Sequence, residues 1–392
     1  MRRALVVVLN AFTHDSRVLR QVSTLAKRSG EIRVFALHEG QLPAEEERTG
    51  YCLRRFQLST RPLPRTKLVQ GVKYLECLLR MTWEGIRFKP QVVHAHDLEA
   101  LPIGYLTAKL ARARLVYDSH ELWSDQAASH SYPRWLFKFA VGLEKVLARR
   151  ADAVITVTES ISRHLEAQMR IPAPTVIRNV PVRPAAIRNE CPSALHVLLG
   201  LANDVPVILY LGMIGKGRGL ETFIRSMQWV QPDAVAVIMG SPWGTRYLES
   251  LRSQASQLGV SERVQFVPAV PPGEVHRYAS GATIGIAAIE DYCLSYRYSL
   301  ANKLFEYIQA GLPVVATDLP EMANLVRTYD LGEVFPDRNA EAVAGVINRM
   351  LSCPATLARY RQNTIAAAKE LNWSNEETKL LDLYDRLCPS QT

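Results

Sequence analysis

Ser299-Leu300-Ala301-Asn302-Lys303-Leu304-Phe305-Glu306-Tyr307-Ile308-Gln309-Ala310-Gly311-Leu312-Pro313-Val314-Val315 reads as a loop, a short helix closed by Gly311, and a buried strand. The helix is expected to start near Ala301 or Asn302. The N–H groups of a first turn have no intrahelical partners, and the dipole end there is positive, so the turn is an anion site. Lys303 adds a full positive charge to that turn, which the dipole alone disfavours. A bound diphosphate would explain a lysine there. Glu306 lies one turn beyond Asn302 on the same face, placed to accept hydrogen bonds from the vicinal hydroxyls of a ribose. Without a ligand, the same segment reads as a capped helix with a solvated lysine.

Upstream, Tyr210-Leu211-Gly212-Met213-Ile214-Gly215-Lys216-Gly217-Arg218-Gly219-Leu220-Glu221 runs from a strand through a loop with four glycines into a helix. Glycines let backbone amides approach phosphate oxygens closely. Lys216 and Arg218 supply charge, and the arginine fork suits phosphate. The loop matches neither GxxxxGK[ST] nor a first-strand GxGxxG. A plain strand-to-helix turn with solvated basic residues is the other reading.

In the first half, Val92-Val93-His94-Ala95-His96-Asp97 and Val116-Tyr117-Asp118-Ser119-His120-Glu121 each end a predicted strand. Histidines and carboxylates at strand ends suggest a polar cleft wall, with His94 and His96 on one side by strand alternation. No DxD pair and no HExxH occurs, and no metal is expected. The first turn, residues 10–17, carries a helix N-cap at Asp15 or Ser16.

Short apolar runs alternate with helical stretches along the whole chain. Strands are predicted over Ala4–Leu9, Arg33–Leu37, Gln91–Ala95, Leu115–Asp118 and Ala153–Val157. A second series covers Val205–Leu211, Ala234–Met239, Arg263–Val267, Ile284–Ala288 and Pro313–Ala316. Runs that are apolar throughout, without alternation, mark parallel strands covered by helices on both faces. Pro181, Pro184 and Pro192 mark a linker between two doubly wound α/β domains. In such domains ligands bind beyond the carboxyl ends of the strands.

The chain has 392 residues, enough for two domains with full cores, and no apolar run long enough to cross a membrane. Its six cysteines are scattered without metal-binding spacing and read as reduced thiols of a cytoplasmic protein. The net charge is +9, which suits nucleic acid, an anionic membrane or phosphate-bearing ligands. No nucleic-acid motif accompanies it. Two basic-aromatic stretches, residues 134–150 and 67–89, fit an anionic membrane surface, or ordinary domain helices with snorkelling cations.

Together these segments resemble the retaining family 4 (group 1) glycosyltransferases, over nearly the whole chain: a basic turn with Arg17, then "VVHAHDLEALP", "VYDSHEL", "RADAVITVTES", "YLGMIGKGRGLE", "SLANKLFEYIQAGLPVVATDLPEM" and a late helix with Trp373 and Tyr384. The resemblance implies a GT-B fold: two facing Rossmann-like domains, 1–190 for the acceptor and 191–370 for the nucleotide sugar, with a helix in 371–392 crossing back to the first domain. It implies donor contacts from Gly212, Lys216, Arg218, Asn302, Lys303, the Leu304 amide and Glu306, with Glu306 on the ribose. His120, Arg218 and Lys303 would act at the reacting groups. Arg17, His96, Asp97, His120, Glu121, Glu290 and Asp291 would line the sugar and acceptor.

Two positions depart from the family pattern. The first Glu of its E-x7-E motif falls on Tyr298, and the basic residue after Gly212 is Met213. Glu290, Asp291 and Lys216 are the candidate substitutes. The expected activity is transfer from a UDP- or GDP-sugar to a saccharide or lipid-linked acceptor, in surface polysaccharide or glycolipid synthesis. It would need no cofactor or metal, and the protein would sit in the cytoplasm or on the inner face of the membrane. A nucleotide-sugar epimerase and a non-catalytic sugar-nucleotide-binding subunit share the pattern.

Overall fold

The computed structural model describes residues 3–13, 15–28, 30–64, 66–122, 134–184 and 193–389. It divides into two compact units, Met1–Asn179 with Glu376–Thr392, and Val180–Asn375. The boundary anticipated at residues 190 and 191 lies outside the described residues. Leu371 and Trp373 remain with the second unit. The Leu371 carbonyl accepts from Gln309 Nε2 at 2.7 Å, and Trp373 N–H donates to the Pro181 carbonyl at 3.0 Å.

The first unit holds an eight-stranded sheet: β1 Arg3–Val7, β2 Glu31–Leu37, β3 Glu45–Arg48, β4 Tyr51–Phe56, β5 Val92–His96, β6 Arg114–Ser119, β7 Ala153–Thr156 and β8 Thr175–Val176. The order is β3-β4-β2-β1-β5-β6-β7-β8. The apolar runs become central parallel strands because helices cover both faces. β3 is the exception. It pairs antiparallel with β4 across the two-residue turn Thr49-Gly50, so the sheet is not wholly parallel as anticipated. β3 reads Glu-Glu-Glu-Arg, with no apolar pattern to mark it. Only the turn signalled a hairpin.

The second unit holds six parallel strands: β9 Val207–Leu211, β10 Val235–Met239, β11 Val264–Val267, β12 Ile284–Ala287, β13 Val314–Thr317 and β14 Gly332–Phe335, in the order β11-β10-β9-β12-β13-β14. Winding reverses between β9 and β12. The carboxyl ends of those two strands therefore border the ligand crevice that doubly wound sheets open at a switch point. The glycine loop leaves β9, and the helix Asn302–Gln309 follows β12. In the first unit the reversal lies between β1 and β5, so residues after β5 and β6 stand at the corresponding edge.

Tyr307 fastens that helix to the sheet. Its buried hydroxyl accepts from Leu211 N–H at 3.0 Å and lies 3.0 Å from the carbonyls of Leu209 and Ile286. Tyr307→Phe strands a buried N–H and should cost about 1–3 kcal/mol. Urea unfolding checks it; an unchanged midpoint would show that the hydroxyl holds nothing.

Candidate active site

A cavity of about 470 Å³ opens at the switch point of the second unit. Gly212, Met213, Arg218, Asn302, Lys303 and Glu306, all singled out in the sequence, line it. The Gly212 backbone has φ +119° and passes against β10's end: a Cβ on Gly240 would lie 1.7 Å from the Gly212 carbonyl oxygen. The close approach leaves Gly240 no alternative residue.

Lys303 is buried, and its ammonium stands 3.5 Å from the centre of the Tyr210 ring. Burial, reinforced by Arg218, holds its pKa well below the ordinary lysine value. Arg218 lies over the Tyr296 ring at 5.1 Å. Among the described residues no carboxylate forms an ion pair with either cation. A buried cation without a counter-charge is costly, and an anionic ligand in the cavity removes that cost. The solvated lysine of the alternative reading is not what the fold builds.

Four expected residues stand differently. The Leu304 amide turns back onto the Ala301 carbonyl at 2.9 Å, so it is committed within the chain. Lys216 is exposed and does not line the cavity. Glu290 and Asp291 do not line it either, and face Arg338 at 3.3 Å and Arg297 at 2.7 Å. Tyr298 closes the short helix Leu294–Arg297, and it too lies outside the lining. Glu306 does line the cavity, with His276 Nε2 at 3.5 Å from its carboxylate. Sequence reasoning missed Ser241, Val270 and His276. Ser241 follows a glycine at the end of β10, which was a usable signal; the other two sit in segments without pattern.

In the first unit the strand-end residues meet around Asp118, which is fully buried. Arg17 holds both its oxygens, Nε at 3.1 Å and Nη2 at 2.8 Å, and Gln21 Nε2 adds a third bond at 2.7 Å. Arg17 also donates to the Ile177 carbonyl at 2.7 Å. Its guanidinium is therefore spent internally, which removes it from the substrate-lining set. Burial alone would raise the Asp118 pKa, but Arg17 and His120 outweigh it and hold the carboxyl well below the usual range.

His94 and His96 stack at 4.3 Å. His94 Nδ1 meets the Tyr384 hydroxyl of the last helix at 2.8 Å, and His96 Nδ1 meets His120 Nε2 at 3.0 Å. Asp97, in the left-handed region at φ +62°, brings its carboxylate to His120 Nδ1 at 3.2 Å. Glu121 is exposed, and its carbonyl accepts from Ser119 Oγ at 3.1 Å. His94, His96 and Asp118 bring potential ligand atoms within 4.8 Å of one another. The bonds from Arg17 and Gln21 already occupy both Asp118 oxygens.

A family model described as glycosyl transferases group 1 matches residues 195–370, and one described as glycosyl transferase 4-like domain matches residues 14–181. The chain is a group 1 glycosyltransferase. This glycosyltransferase is 27% identical to a D-inositol 3-phosphate glycosyltransferase of Acidothermus cellulolyticus, over 94% of this chain and 84% of that one. Among solved structures it resembles sucrose-phosphate synthase from Thermosynechococcus elongatus, with TM-score 0.80 and 18% identity over 99% of both chains. It also resembles Anabaena HepE in complex with UDP-glucose, with TM-score 0.76 and 17% identity over 98% of this chain and 100% of that one. These likenesses establish the GT-B fold of the transferase.

The histidines of the first unit differ in charge. Burial pushes His94 down to about 4. Burial also opposes charge on His120, but Asp97 and Asp118 outweigh it and lift that ring to about 10. His120 thus stabilises the fold below the unfolded value of about 6.5, and loses that contribution as pH rises towards 10. His94 costs stability as pH falls from about 6.5 towards 4. Ring-nitrogen NMR should find His120 doubly protonated at about pH 8 and His94 neutral at about pH 5. A neutral His120 at the higher pH would remove the proposed charge from this site.

Proposed function

We propose that the enzyme transfers a hexose with retention from a UDP-sugar, or else a GDP-sugar, to a saccharide or lipid-linked acceptor at the inner face of the cell membrane. The second unit holds the donor and the first unit the acceptor. The observation that carries the donor assignment is a pair of cations, the buried Lys303 and the half-buried Arg218, in one cavity with Glu306 and, among the described residues, without carboxylate partners. The cations take the diphosphate and Glu306 takes the ribose hydroxyls. The curated relatives are named for D-inositol 3-phosphate, and this favours a second acceptor class, a phosphorylated polyol. Surface-polysaccharide and glycolipid synthesis remain our own reading.

In the transfer step the anomeric carbon–oxygen bond to the diphosphate breaks through an oxocarbenium-like state. The acceptor oxygen forms the new bond on the same face, and its proton passes to the leaving phosphate oxygen. Lys303 and Arg218 stabilise the charge that develops on the diphosphate, so no metal is required. His120, held as an imidazolium, adds positive charge on the acceptor side and is unsuited to act as a base.

Thermal stability with UDP, GDP, ADP, dTDP and CMP tests the donor site. A nucleotide at 100 times its dissociation constant stabilises by about 2.7 kcal/mol, and Glu306→Ala should abolish the shift. No response to any nucleotide would favour a non-catalytic subunit. Donor conversion without an acceptor would favour an epimerase. Arg218→Ala should slow transfer by roughly 10²–10³-fold, about 3–4 kcal/mol. Near-full activity in that variant removes Arg218 from the site. Activity lost in EDTA and restored only by Mn²⁺ overturns the metal-free scheme.

A further inference from the structure

The first unit carries an apolar face that none of its described residues covers. On the helix Lys67–Phe88, Leu68, Val72, Leu75, Leu79 and Trp83 recur every three or four residues and are all exposed, Leu68 by 81% and Trp83 by 62%. The opposite face of the same helix buries Cys77, Met81, Gly85 and Phe88. The helix is thus apolar on two sides, one packed and one open. The helix Arg134–Ala148 repeats the arrangement with Trp135, exposed by 70%, and with Phe139 and Val146. The helix Asp97–Ala111 packs against both. All three make crossovers that step the same way along the sheet, from β4 to β5, β5 to β6 and β6 to β7. Right-handed connection puts them in one layer on one side of the sheet. The layer therefore presents two parallel apolar stripes, well beyond the scattered single apolar residues of an ordinary surface.

The charges around the stripes identify the occupant. Lys67 and Arg87 flank the first stripe, and Lys138 and Lys145 the second, whereas the Lys73 ammonium is spent on the Arg61 and Leu63 carbonyls. Among the described residues none of the four flanking cations forms an ion pair with a carboxylate. The two acidic groups on the first helix are already engaged: Glu76 by Ser59, Thr60 and Arg80, and Glu84 by Arg54. The face is thus apolar at its centre and basic at its margins. A second copy would bring the same basic margins together in a two-fold interface, which disfavours a dimer.

We propose that this helical layer lies on an anionic lipid leaflet, with Leu75, Leu79, Trp83, Trp135 and Phe139 entering the boundary between headgroups and acyl chains and the flanking lysines and arginines meeting lipid phosphates. Helices of this composition, with tryptophan on the apolar face and lysine at its border, bind such surfaces in the interface plane. The crossover helices begin at the carboxyl edge of the sheet, so Leu68 and Trp135 lie at the same end of the unit as His96, Asp97 and His120. A lipid-anchored acceptor would thereby reach the site from the leaflet. That last step rests on the acceptor reading proposed above; the docking itself does not.

Vesicle flotation of the full chain tests it, with phosphatidylcholine vesicles against vesicles that also contain phosphatidylglycerol. The protein should float only with the anionic vesicles, and less as salt rises, because the attraction is screened. The triple variant Leu75→Gln, Leu79→Gln, Trp83→Gln changes only exposed side chains and should keep its melting temperature and its nucleotide shift. Its binding should fall at least tenfold. Lys138→Gln with Lys145→Gln should weaken binding by about fivefold for each charge removed. No flotation at low salt overturns the proposal, as does flotation unchanged in the triple variant. A dimer in light scattering that the triple variant dissociates assigns the face to a second copy instead. A nucleotide shift lost while flotation persists would defeat the donor reading and leave the docking face intact.

Discussion

The ammonium of Lys303 lies over the Tyr210 ring, beside Arg218, with burial working against its charge. Much of the second unit serves to hold it there. Tyr307 ties the lysine's helix to β9 and β12 through three backbone groups. Gly240 admits the Gly212 carbonyl so that the loop after β9 can close over the cavity. Each device spends stability or sequence freedom on holding a buried cation, which is costly by itself. The first unit treats charge in the opposite way. Asp118 is buried more deeply still, yet Arg17, Gln21 and the nearby histidines answer it internally. Among the described residues, one unit leaves its buried charge without a counter-ion, and the other satisfies it within its own core.

The alternation of apolar runs with helical stretches was legible, because strands buried on both faces leave no other pattern. Ten strand positions follow from it within a residue or two. β3, β4, β8 and β14 were not legible. β3 is charged, β8 has two residues, and β14 reads Gly-Glu-Val-Phe; none buries enough of its length to leave a periodic mark. At the site, residues carried by a helix start or by the glycine loop were visible, since both features have a physical purpose at a known offset. Val270 reaches the same cavity, and His276 reaches the Glu306 carboxylate, from segments whose local sequence says nothing about where they end. The cation–ring contacts of Lys303 with Tyr210 and of Arg218 with Tyr296 were equally hidden, being set by tertiary approach.

Tyr298 and Met213 keep their interest after the structure. Met213 lines the cavity as an exposed thioether where the family pattern places a cation, which leaves Arg218 and Lys303 as the cations of its lining. Tyr298 ends a short helix away from that lining. The carboxylates first considered as its substitutes already face arginines.

The antiparallel strand β3 also affects how the molecule behaves among its neighbours. A parallel sheet that ended on β4 would expose a row of unpaired backbone groups along the strand Tyr51–Phe56. β3 covers that row with four residues, three of them glutamates, two of which point into solvent. A new strand arriving at this margin would meet a four-residue edge of charged side chains, a poor template for pairing. The hairpin that left no apolar trace in the sequence thus works as a guard against edge-to-edge aggregation.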